Sequence, residues 1–125
     1  MSQGVEHMMT DRAEEPNQLS RLLVQRINAG DVDGLVDLYE DDAVLDTGDG
    51  SLATGASEIR AFWERFVAQG ITVSLGRQAD ALVNGDLALT STRVAEKVVT
   101  VEVARRQADG QWKWTIDQPA LRIAD

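Results

Sequence analysis

The chain contains no cysteine, one histidine, two prolines and only six aromatic residues. The missing cysteines exclude disulfides, thiolate nucleophiles and thiolate-bound zinc together. With His7 as the only histidine, a multi-histidine metal site cannot form within one chain, and neither a metal nor a cofactor is expected. No apolar run approaches the ~18 residues of a membrane span. Positive charge is also scarce: 12 Lys and Arg against 21 Asp and Glu leave a net charge of −9. Phosphate backbones would be repelled by such a surface, because nucleic-acid binding needs a basic footprint. Nucleic acid and membrane are therefore not expected partners.

What is present divides into two halves with different periods. Residues 1–16 form a polar leader whose Glu6, Asp11, Glu14 and Glu15 do not suit a signal peptide, so a cytoplasmic protein is expected. Residues 17–125 are read as one domain. Leu19, Leu22, Leu23 and Ile27 make a helical stripe, and Gly30 stands where a C-terminal glycine would close it. Asp31 is placed to cap a second helix carrying Val32, Leu35, Val36 and Tyr39 on one face. Ala43–Asp46 reads as a short strand, followed by a turn at residues 47–51. Ile59, Phe62, Trp63, Phe66 and Val67 then give a wide apolar stripe, ended by Gly70.

From Ile71 the period changes to two. Strands are expected at Ile71–Leu75, at Leu82–Val83, over Leu87–Ala95 and Val98–Arg106, and over Trp112–Asp117. Asn84-Gly85 signals a type I′ hairpin, and Gly76 a bulge or bend. Helices followed by strands imply an α+β fold, with three helices on one face of a curved antiparallel sheet.

Tyr39-Glu40-Asp41-Asp42-Ala43-Val44-Leu45 and Gly55-Ala56-Ser57-Glu58-Ile59-Arg60-Ala61-Phe62-Trp63 resemble the nuclear transport factor 2-like superfamily, and within it SnoaL-like small domains. Asn28-Ala29-Gly30-Asp31 and Gly110-Gln111-Trp112 fit the same pattern. The resemblance implies a cystatin-like cone, whose relatives include isomerases, dehydratases, epoxide hydrolases, cyclases and non-enzymatic binding domains. It does not choose among them.

The resemblance implies a pocket that works by acid–base chemistry, with carboxylates, Tyr, His or Arg set among apolar walls. The resemblance places polar pocket residues on the last strand, so Asp117 is the first candidate base. Parity complicates that choice, because Trp112 and Trp114 share one sheet face while Lys113, Thr115 and Asp117 share the other. Asp117 points inward only if the tryptophans do not, or if a bulge shifts the register. Asp46 is a second candidate, with turn capping as its alternative. Tyr39 is a candidate donor to an oxyanion, and Trp63, Phe66, Thr92 and Trp114 are candidate ligand contacts.

Two functions remain open. One is a domain that binds a small apolar molecule, with acid–base carboxylate chemistry if it is an enzyme. The other is a binding or assembly module that forms a homodimer through Val99, Val101, Val103 and the tryptophan pair. An apolar cavity of roughly 300 Å³ or more holding an unpaired carboxylate would favour the first. A filled cone with exposed tryptophans would favour the second.

Overall fold

The computed structural model describes residues 11–121; most of the leader therefore lies outside the described residues. Helix α1 spans Gln18–Ala29, α2 Val32–Val36 and α3 Gly55–Ala68. The strands are β1 Tyr39–Asp46, β2 Leu52–Thr54, β3 Arg77–Gln78, β4 Leu82–Asn84, β5 Leu87–Ala95, β6 Val98–Arg106 and β7 Trp112–Gln118.

Local chemistry explains the helix ends. Gly30 adopts φ 68°, a left-handed conformation that glycine takes without a Cβ penalty, and closes α1. The Asp31 side chain accepts a 2.9 Å bond from the Gly34 amide and starts α2. Glu58 reaches back to the Thr54 amide at 2.8 Å, satisfying a donor that the first turn of α3 leaves free. Ile59 and Trp63 are buried from α3, with Phe62, Phe66 and Val67 packed against them.

The sheet runs β2-β1-β7-β6-β5-β3, with β4 also paired to β5. Its pairings are antiparallel except for β1 with β7, which are parallel. The short β3 and β4 share one edge of β5, so they act as a single interrupted edge strand.

Several details differ from the sequence reading. Helix α2 stops at Val36, and the chain turns directly into β1, so Tyr39 opens a strand rather than continuing a helical stripe. Residues 71–76 are not a strand, and the edge pairing begins only at Arg77. Gly76 instead lies against β5, where a Cβ would collide with the Arg93 carbonyl. The β4–β5 turn is formed by Gly85 and Asp86, since Asn84 pairs with Leu87. Only Gly85 has positive φ there, at 60°, whereas a type I′ turn needs it at both central residues.

The last strand carries the decisive irregularity. Val103 pairs with Ile116 and Ala104 with Trp114, so Thr115 is an extra residue with no partner across β6. This bulge resets the alternation. Trp112, Trp114 and Asp117 all face the helices, while Ile116 faces outward and is 50% exposed. The bulge is the alternative under which Asp117 and the tryptophans share the inner face.

Candidate functional site

Asp117 is 4% exposed. Its Oδ2 accepts a 2.7 Å hydrogen bond from the Tyr39 hydroxyl, itself buried. Oδ1 has no hydrogen-bond partner among the described residues. Burial pushes the carboxyl up to about 7, the Glu102 charge adds to the rise, and the Tyr39 bond opposes it. The Tyr39 phenol is raised well above its ordinary value, by burial first and then by the Asp117 charge. It therefore stays neutral and serves as a donor.

Asp117 lines a cavity of about 70 Å³ between α1, α3 and the concave face of the sheet. Leu23 and Val24 come from α1 and Trp63 from α3. Thr92, Glu102 and Trp114 come from the strands, and Leu75 and Gly76 from the segment before β3. Leu75 and Val94, both exposed, mark its mouth. The walls are mainly apolar, and no Lys, Arg or His lies among the lining residues described.

Three lining residues hold buried polar atoms without partners: Trp63 Nε1, Trp114 Nε1 and Thr92 Oγ1. The Trp63 N–H lies near enough to the Tyr39 oxygen to favour its phenolate, yet it makes no well-formed hydrogen bond. Unpaired buried donors cost ~1–3 kcal/mol each. Their grouping beside one carboxyl suits a ligand that brings acceptor oxygens.

Tyr39, Asp117, Trp63, Thr92 and Trp114 thus lie in one neighbourhood, and Tyr39 and Trp114 pack with ring centroids 5.4 Å apart. The Tyr39 proton is committed to Asp117, so the hydroxyl reaches a ligand only through that carboxyl. Asp46 lies elsewhere. Its Oδ1 accepts from the Gly48 amide at 2.9 Å and its Oδ2 from Gln118 at 3.4 Å, which is turn capping at the end of β1. Phe66 packs edge-on to Trp63 at 5.4 Å and borders a separate surface hollow with Thr47 and Arg65, not the Asp117 cavity.

Glu102 was not singled out from the sequence, although a signal existed. With Val99, Val101 and Val103 assigned to the outer face, alternation puts Thr100, Glu102 and Ala104 inside. Glu102 is 3% exposed and accepts a 2.6 Å bond from the Thr90 hydroxyl. Among the described residues no cluster of acidic or histidine side chains is suited to hold a metal ion. No described helix is long and apolar enough to cross a membrane.

The SnoaL-like domain family matches residues 20–118, from the third residue of α1 to the end of β7. The chain belongs to that family. No curated protein matches it. Solved structures of the nuclear transport factor 2-like superfamily share its fold. A candidate dehydratase of the NTF2-like family from Streptomyces avermitilis aligns with TM-score 0.69 at 18% identity, over 88% of this chain and 96% of that one. A ketosteroid isomerase-like protein from Erwinia carotovora atroseptica aligns with TM-score 0.63 at 19% identity, over 82% and 89%. An NTF2-like protein with a cystatin-like fold from Novosphingobium aromaticivorans aligns with TM-score 0.59 at 21% identity, over 81% and 75%. At these identities the likeness establishes the fold of this SnoaL-like chain and leaves its chemistry to the site.

Proposed function

We propose that this SnoaL-like domain binds a small, largely apolar molecule carrying a carbonyl or hydroxyl oxygen, and moves a proton on it without a cofactor. The observation that carries this reading is Asp117, a buried carboxyl lining the cavity with one oxygen fixed by Tyr39 and the other without a partner among the described residues. A group with proton affinity near neutrality is divided between acid and base forms and suits general acid–base catalysis. Trp63 and Trp114, whose N–H groups are buried without partners, line the same cavity. Two of the structural neighbours bear names of an isomerase and a dehydratase, both reactions that displace protons.

The cavity of about 70 Å³ is smaller than the ligand sites of ~300 Å³ or more usual for whole small molecules. It admits the reacting end of a ligand, whose body then lies over the mouth at Leu75 and Val94.

Native mass spectrometry of the purified chain with a panel of cyclic and unsaturated ketones tests binding, and α-proton exchange in D₂O tests chemistry. Expected are one-to-one adducts that vanish when Thr92→Trp fills the cavity, and exchange that depends on Asp117. Adducts unaffected by Thr92→Trp, or none with the wild-type chain, would contradict the reading.

A second reading concerns the outer face. Leu82, Leu89, Val103 and Ile116 stand opposite one another across β4, β5, β6 and β7 in an apolar row, with Leu82 70% exposed. We propose that a second copy covers this row in a homodimer, which is compatible with ligand binding on the concave face.

A further inference from the structure

Asp117 and Tyr39 leave one buried acid of the same cavity without a role. Glu102 stands directly opposite Asp117 in the antiparallel register of β6 and β7, and both line the cavity. Side chains so paired have Cβ atoms ~4.5–5.5 Å apart. Two ionised carboxylates facing each other in a mainly apolar cavity, with no cation among its described lining residues, repel one another strongly. The surroundings also treat them differently. Burial raises Glu102 above its ordinary value, and hydrogen bonds from the Thr100 and Thr90 hydroxyls, the latter at 2.6 Å, oppose that rise. Asp117 has one donor, Tyr39, and an oxygen left over.

We propose that Glu102 is a positioning residue of this site: it pairs with Asp117 so that the two carboxyls hold a single proton between them, kept on Asp117 and presented to the cavity. The inference rests on reading Asp117 as the acid–base group. The groups facing the pair are Tyr39 from β1, Thr90 from β5, Thr100 from β6 beside Glu102, and the uncharged Trp63 and Ser20 from α3 and α1. Tyr39 alone among these ionises, and burial keeps it neutral near pH 7. The pair then carries one negative charge, lodged on Glu102. An anionic ligand is repelled, whereas a neutral carbonyl oxygen receives a hydrogen bond from the Asp117 O–H.

The test is a ¹³C NMR titration of the unliganded chain, labelled at the side-chain carboxyls of Asp and Glu. Coupled groups titrate as a pair, so each must respond when the other is neutralised. In Glu102→Gln the proton affinity of Asp117 is expected to fall by about tenfold or more, since the facing anion has gone. In Thr90→Val, a near-isosteric change that stands in should Glu102→Gln fail to fold, the proton is expected to move toward Glu102. The Glu102 midpoint then rises and that of Asp117 falls. An Asp117 midpoint identical in wild type and either variant overturns the proposal. So do two carboxyls that both ionise independently near the ordinary ~4. No ligand is needed, so failure to bind ketones, which would sink the proposed activity, is a distinct result.

Discussion

The Tyr39 hydroxyl donates a 2.7 Å hydrogen bond to Oδ2 of Asp117, joining the opening residue of β1 to the end of β7 across 78 residues of sequence. Both groups are buried, so the bond is shielded from competing water. Tyr39→Phe removes a donor that favours the carboxylate, and the Asp117 midpoint is expected to rise above its wild-type value. Hydrogen bonds to charged groups contribute about 1.5–3 kcal/mol. Urea unfolding should therefore show a loss of that order at pH 8.5 and a smaller one at pH 5, where Asp117 is already protonated.

Asp117→Asn is expected to change the pH dependence of stability. The folded-state value of about 7 stands above the ordinary unfolded one, so between these values the native chain holds more protons than the unfolded chain. Stability contributed by this group is full below the unfolded value of ~3.9 and is lost as pH rises to about 7. The span of roughly three units corresponds to about 4 kcal/mol. Urea midpoints of wild type and variant measured from pH 4 to pH 8.5 should diverge in favour of Asn as pH rises. Parallel curves would contradict the burial of an ionisable Asp117.

The bulge at Thr115 predicts opposite tolerances two residues apart. Trp114, 1% exposed, lies inside, and Trp114→Ala should cost ~3–5 kcal/mol through the lost packing and the cavity left behind. Ile116, on the outer face, should tolerate Ser within ~0.5 kcal/mol as a monomer. Unfolding midpoints of the two variants check the register directly.

That same bulge separates what the sequence conveys from what it hides. The stripes from Leu19 to Ile27 and from Ile59 to Val67 specify helices, because each buries one face at the helical period. Strict alternation, however, put Asp117 and Trp114 on opposite faces, and one extra residue reverses that without any change in composition. Tyr39 was misplaced on a helix because Val32, Leu35, Val36 and Tyr39 also satisfy the helical spacing. The α2 ending at Val36 depends on β1 pairing with β7, a partner about 75 residues away in sequence. Asp46 was a candidate from its place at the end of a strand, with turn capping as the other reading, and Phe66 from its place on the α3 stripe. Tertiary placement put the first at a turn and the second behind Trp63.

The outer apolar row makes a further prediction. Leu89→Lys introduces a charge at its centre, between Leu82 and Val103. Sedimentation equilibrium is expected to show a dimer for wild type and a monomer for the variant, with the Asp117 midpoint unchanged. An unchanged dimer in Leu89→Lys would place any association elsewhere.

The most direct measurement is the titration of the Asp117 carboxyl itself, followed through its ¹³C resonance from pH 3 to pH 9 in the wild-type chain. A midpoint near 7 is predicted from its burial in the cavity beside Glu102 and Tyr39. A midpoint near the ordinary ~4 would mean a solvated carboxylate and would contradict its role as the acid–base group.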